Sequence, residues 1–215
     1  MSIDFRNDVL ALQRMTKALG QYPGALDGQW GPQTERAYQW FSLESDKIAQ
    51  KYGRFDLRSE TNIVTLIPPA QAHARWVLVV AKHLGLNARI ISGTRSYSEQ
   101  TALYNQGRTL ATRTMPIVTN AKAGQSNHNF LLAWDIGLFS ASGDYLEASG
   151  PYLAFAHKIA AACKQVGFST LDIGAFWPGF ADPPHYGLRS NYEDRNKREP
   201  LEEVRKRYEQ GLRWW

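Results

Sequence analysis

The stretch "SNHNFLLAWDIG", residues 126–137, sets a histidine, His128, seven residues before an acid, Asp135, with mostly apolar residues between them. "LLAWDIG" reads as a strand, with Ala133 and Asp135 on one face and Leu132, Trp134 and Ile136 on the other. Seven is an odd separation, so an unbroken strand would point His128 away from Asp135. The two converge only if an irregularity near residues 129–131 resets the phase. A carboxylate at a position that expects burial also needs a partner, because an unpaired buried charge is costly. Downstream, "FADPPHYGL", residues 180–188, places Asp182 and His185 across a Pro-Pro corner, whose fixed backbone suits a rigidly aimed side chain.

Two histidines and two acids are the inventory of a catalytic zinc site. Such a site takes three His or Asp/Glu ligands and keeps a fourth position for water. The metal lowers the pKa of that water towards ~7 and polarises a carbonyl, and a further carboxylate can then take the proton. Asp135 and Asp182 would repel as bare neighbours, whereas a divalent cation makes the cluster favourable.

The surrounding chain is consistent with an enzyme of ordinary composition. Its 215 residues suit one medium domain plus a small one, and 43% hydrophobic with 21% charged content excludes a disordered chain. The longest strongly apolar run, Trp76–Ala81, is too short to span a bilayer. "MSIDFRNDVLALQ" lacks a signal-peptide core, so the expectation is synthesis in the cytoplasm without a secretory signal. The single cysteine, Cys163, excludes an internal disulfide. A net charge of +5 favours a polyanionic partner: nucleic acid, an anionic membrane surface or a bacterial wall. The densest basic stretch, "RNKREPLEEVRKR" (195–207), is laced with acids and reads as a solvated helix face.

Residues 1–53 read as helix, ordered loop, helix: Val9, Leu12, Met15 and Leu19 keep helical spacing, and Pro32 to Gly53 bracket a second helix. Residues 54–69 lack a clear period and end in two prolines, which predicts a linker or wrapping segment. From residue 70 onward come a helix closed by Gly85, a strand at "NARIISG", and a helix opened by a Ser96–Glu99 capping box. The "LLAWDIG" strand, a helix from Ser149 to Gly167, a strand at "PHYGL" and a terminal helix follow. Helices and strands without regular alternation predict an α+β fold.

Two resemblances follow from these residues. Leu12-Gln13, Leu19-Gly20, Tyr22-Pro23-Gly24, Asp27-Gly28, Gly31, Thr34, Ala37 and Phe41 resemble the peptidoglycan-binding domain of wall hydrolases, which implies a small helical bundle that grips the wall. "SGTRS", "EQ..LYNQGR", "VTNAKAGQSNHNF", "AWDIG" and "DPPH" resemble the zinc peptidoglycan peptidases related to D-alanyl-D-alanine carboxypeptidase. These share a fold with hedgehog signalling domains and include the L-alanyl-D-glutamate endopeptidases found as phage endolysins. The resemblance implies an antiparallel sheet flanked by helices and one zinc per chain, held by His128, Asp135 and His185. It makes Asp182 the general base, Arg95 the oxyanion and substrate contact, and Ser126 a supporting residue near the metal, with Arg108 a further candidate substrate contact. The implied partner is bacterial peptidoglycan, with no nucleic acid, no stable membrane association and a monomeric chain. A lysin of this kind reaches the wall through a membrane lesion made by another protein.

The chain departs from the family pattern twice. Leu131 stands where the family has Gly, and "STLDIGAFW" lacks the Trp-Gly-Gly usual there. Leu131 is expected to strain the His128 loop or narrow the cleft if the phase reset lies there. Three alternatives stand beside the endopeptidase: a carboxypeptidase trimming terminal D-alanine, a wall-binding protein with an impaired zinc site, and a cysteine peptidase using Cys163. The last is disfavoured because Cys163 falls late in a helix, among alanines. His73, His83 and His157 sit in predicted helices and read as structural.

Overall fold

The computed structural model describes residues 5, 7–166, 170–189 and 200–214. In chain order these form α1 (Val9–Ala18), α2 (Pro32–Tyr52), α3 (Leu57–Ile63), α4 (Pro68–His83), β1 (Asn87–Ser92), α5 (Tyr97–Asn105), β2 (Ala133–Phe139), α6 (Ser149–Val166), β3 (Leu171–Ile173), β4 (His185–Leu188) and α7 (Leu201–Gln210). The expected stop at Gly167 lies outside the described residues. The fold mixes helices with an antiparallel sheet, ordered β1-β2-β4-β3. β3 escaped the sequence reading because three residues are too few to show alternation.

Local chemistry explains the helices. Asp8 caps α1 by accepting from the Ala11 N–H at 3.0 Å. Leu12 and Met15 are the buried stripe of α1, and Ala70, Ala74, Val77, Leu78 and Ala81 that of α4. The capping box on α5 forms as read: Ser96 Oγ accepts from the Glu99 N–H, and the Glu99 carboxylate accepts from the Ser96 N–H at 2.8 Å.

Residues 54–69, expected as a linker or wrapping segment, contain α3 and are bound into the fold. Asp56 caps α3, and Ser59, Ile63, Leu66 and Ile67 are buried. Glu60 makes a bidentate pair with Arg75 of α4, at 2.7 and 2.8 Å, and Arg75 also donates to the Gly53 carbonyl at 2.9 Å. Seven helical residues with few apolar positions leave no readable period, which is why the segment looked structureless.

Packing is continuous along the chain. Leu12 and Met15 of α1, Phe41 of α2, Val77 of α4, Trp134 and Ile136 of β2, Tyr186 of β4 and Trp214 belong to one apolar core. α1 packs on α2 and α7, and α2 packs on α4. α7 reaches from α1 to the 3-10 turn Asn127–Phe130. The Tyr208 ring lies 5.5 Å from that of Phe130 and 6.3 Å from that of Trp214, and the Arg14 guanidinium sits over it, 5.2 Å from its centre. Trp214 is therefore packed back onto the fold, while Trp215 lies outside the described residues.

Candidate metal centre

The sheet register brings two of the acid and histidine side chains together. Asp135, in β2, pairs with Ser92 of β1 on one side and His185 of β4 on the other. Directly opposed residues on antiparallel strands point to the same face. His185 starts β4 immediately after the Pro-Pro corner, where its N–H donates to the Asp182 carbonyl at 3.0 Å. Gly174 permits that corner, since a Cβ there would stand 2.3 Å from the Asp182 carbonyl oxygen.

His128 arrives by the phase reset that its odd spacing demands. It sits in the 3-10 turn Asn127–Phe130, which closes on Leu131 in the left-handed region at φ 62°, ψ 18°. Leu131 is the one non-glycine residue with positive φ among the described residues. An L side chain there costs roughly 1–2 kcal/mol. The strain expected from Leu in place of Gly is therefore present, but Leu131 is fully buried in the core and is not part of the cleft wall.

Three ligating atoms converge: His128 Nε2, Asp135 Oδ1 and His185 Nδ1, separated by 3.2, 3.3 and 3.4 Å. A tetrahedral ion bound at about 2.0–2.1 Å sets its ligands about 3.3–3.4 Å apart, so the donor set fits zinc. His128 Nδ1 donates to the Gly93 carbonyl at 2.7 Å, which leaves Nε2 with its lone pair facing the carboxylate. Burial pushes the His128 imidazolium below its ordinary pKa, against the pull of Asp135, so a proton is disfavoured there. Burial alone would raise the Asp135 carboxyl, but the two imidazoles hold it well below the usual range. The three atoms lie close enough together to share one metal ion, and this is the one such group among the described residues.

The remaining predicted residues surround this cluster in different ways. Arg95 Nη2 donates to Asp135 Oδ2 at 2.7 Å and to Ser92 Oγ at 3.1 Å, so it clamps the ligand's second oxygen. Ser126 caps the 3-10 turn, its Oγ accepting from the His128 N–H at 3.4 Å. Asp182 lines the cleft, and burial raises its carboxyl above the ordinary value, with His185 pulling the other way. Arg108 is not in the cleft wall. It donates to the Thr119 carbonyl at 2.9 Å and to Asn120 Oδ1 at 2.6 Å, and its guanidinium lies 4.3 Å from the Tyr104 ring centre.

Several residues of the site were missed in the sequence. Gly93 and Ser92 stand inside the quoted "SGTRS", yet a backbone carbonyl and a lone hydroxyl carry no distinctive signal. A Cβ on Gly93 would stand 2.5 Å from the Asn62 carbonyl oxygen. Trp177 lies 4.7 Å from the His185 ring and donates from Nε1 to Asp172 Oδ1 at 3.0 Å. The cleft encloses about 920 Å³ and runs from the metal cluster past residues 117–121 on one side and Trp177 and Phe180 elsewhere.

The other histidines make local contacts away from the cluster. His73 bridges the Pro69 carbonyl and Thr170, His83 bonds the Val79 carbonyl, and His157 lies against Phe176. Cys163 is buried, and burial pushes its thiol up to about 11, which disfavours the thiolate a nucleophile needs. No described helix is long and apolar enough to cross a membrane.

Comparison with known proteins yields consistent matches. The family described as VanY, D-alanyl-D-alanine carboxypeptidase, matches residues 65–171. The peptidoglycan L-alanyl-D-glutamate endopeptidase CwlK of Bacillus subtilis is 32% identical over 131 residues, covering 59% of this chain and 75% of that protein. The crystal structure of the Serratia marcescens L-Ala D-Glu endopeptidase ChiX matches with a TM-score of 0.44 and 21% identity, over 65% of this chain and 92% of that one. With its histidine–aspartate–histidine cluster set in the cleft, the chain belongs to the VanY-type D-alanyl-D-alanine carboxypeptidase family.

Proposed function

We propose that this chain is a zinc endopeptidase that hydrolyses the L-alanyl-D-glutamate bond of the peptidoglycan stem. The observation that supports this reading most is the convergence of His128 Nε2, Asp135 Oδ1 and His185 Nδ1 in a cleft that Asp182 also lines. The choice of bond follows the CwlK relative, whose name specifies that linkage. In this reading His128, Asp135 and His185 hold the ion. When bound, zinc supplies a Lewis acid for the scissile carbonyl and for acidifying water. Asp182 accepts the attacking water's proton on a carboxylate oxygen and passes it to the leaving amine nitrogen, a role suited to a carboxyl held above its ordinary pKa. Arg95 keeps Asp135 oriented through Nη2. Its Nη1 has no partner among the described residues and is left to hold the substrate oxygen as charge develops. In the same reading α1 and α2 grip the wall, and the enzyme acts as an endolysin that crosses a membrane lesion to reach its substrate.

Digestion of purified peptidoglycan, with and without chelator, tests the proposal. New D-glutamate amino termini that vanish with chelator support it. Free D-alanine would instead support the carboxypeptidase activity for which the family is named. Tight wall binding with no new amines, even with zinc supplied, would identify a binding protein with an impaired site.

A further inference from the structure

The three donors of the cluster are not held alike. His128 is tied through Nδ1 to the Gly93 carbonyl at 2.7 Å, and Asp135 through Oδ2 to Arg95 at 2.7 Å. His185 has no such tie. Its Nδ1 faces His128 Nε2 and Asp135 Oδ1, while its Nε2 is buried with no hydrogen-bond partner among the described residues. A neutral imidazole that offers Nδ1 as a lone pair carries its proton on Nε2. The N–H that orients most metal histidines therefore has nothing here to donate to. The ring torsion of a histidine is broad, so another contact must fix the plane of this one.

Among the described residues, two aromatic rings lie against that of His185. His128 meets it within the cluster at 5.0 Å, and Trp177 packs on it at 4.7 Å with the planes 53° apart. Trp177 is only partly buried and lines the cleft, yet it is pinned at two points. Its backbone N–H donates to the Gly174 carbonyl at 3.1 Å, and its indole Nε1 donates to Asp172 Oδ1 at 3.0 Å. Asp172 is buried and stands opposite Gly187 in the β3–β4 register. Gly187 follows His185 by two residues, so the Asp172 side chain rises from the sheet face that carries His185. Asp172 stays outside the ligand group, and Arg189 Nε lies 3.9 Å from the oxygen that takes the indole N–H. Asp172 and Trp177 both fall in "STLDIGAFW", where the chain departs from the family pattern.

We propose that Trp177 is the positioning residue for His185: its indole, anchored on Asp172, fixes the imidazole plane so that Nδ1 stays aimed at the ion. This rests on the metal-centre reading above. Packing against a tethered indole does for the third ligand what a hydrogen bond does for His128 and Asp135.

The test uses the full chain, stripped of metal. Zinc affinity is read by competition with a chelator, and ligand geometry by the visible spectrum of the protein loaded with Co²⁺. Trp177→Ala should bind zinc about tenfold more weakly and shift the Co²⁺ spectrum. Trp177→Phe keeps a ring against His185 but cannot donate to Asp172, and should fall between Trp177→Ala and wild type in both readouts. Asp172→Asn keeps an acceptor for the indole and should retain the wild-type affinity and spectrum. Wild-type affinity and spectrum in Trp177→Ala would overturn the inference and leave the metal centre standing, even if the urea midpoint of that variant fell. A loss in Asp172→Asn as large as that in Trp177→Ala would overturn the role of Asp172 as anchor. If the wild-type chain takes up neither zinc nor Co²⁺, the metal-centre reading fails, and the positioning role fails with it.

Discussion

Asp135 stands opposite His185 in the β2–β4 register, with Oδ1 3.4 Å from Nδ1, while its second oxygen is clamped by Arg95. One carboxylate thus turns one oxygen towards the two histidines and gives the other to Arg95. That division leads to separable expectations for the ligands, the base and the clamp.

His128→Ala and His185→Ala should each lose both zinc and activity. Asp182→Ala should retain about one zinc per chain and lose roughly 10²–10⁴-fold in turnover. Metal content by mass spectrometry, beside the rate on purified wall, separates the two classes. An Asp182→Ala enzyme near wild-type rate would remove the base assignment.

Arg95→Ala should weaken zinc affinity about 10–100-fold, because Asp135 loses the partner that orients it. Competition with a chelator of known affinity measures this directly. Unchanged affinity would leave Arg95 with a substrate role alone.

The left-handed Leu131 should reverse a common rank order. At most positions Gly is about 0.5–1 kcal/mol worse than Ala. Here both truncations lose the buried side chain and cost roughly 2–5 kcal/mol. Leu131→Gly should still be the more stable of the two, since only Gly accepts φ 62° without strain. Urea midpoints of the two variants decide it.

The Glu60–Arg75 pair sets an acid limit on stability. Burial alone would raise the Glu60 carboxyl, but hydrogen bonding and charge from Arg75 bring it below its ordinary value of 4.5. A carboxyl depressed on folding stabilises fully above its unfolded pKa, and that contribution disappears as pH falls through the folded value. Glu60→Gln should therefore be less stable than wild type at neutral pH, and the gap should close as pH drops below 4.5. Denaturation midpoints across that range test it. A gap that stays constant would count against the linkage.

The sequence carried the candidate site further than it carried the fold. Asp135 and His185 were legible because each came with its own local motif, and the odd spacing of His128 demanded the irregularity that the 3-10 turn and Leu131 supply. Arg108 was chosen for its charge, yet that charge holds the 117–121 wall, because a guanidinium that can reach three acceptors gives no sign in sequence of which it takes. α3 was not legible within the expected linker or wrapping segment because its stabilising partners, Arg75 above all, lie on another helix. Gly93 was unreadable as a support for His128, since its contribution is a carbonyl that every residue possesses.

Helix α7 links what the sequence suggested dividing. It rests on α1 and at the same time on the turn that presents His128. Recombination at residue 53 would therefore hand a new neighbour a Tyr208 face shaped for Arg14 and would leave the histidine turn leaning on a loosened prop. The first fifty residues and the last fifteen are thus fitted to be inherited together, and a shuffled chimera that keeps only one of them should lose the geometry of the histidine turn.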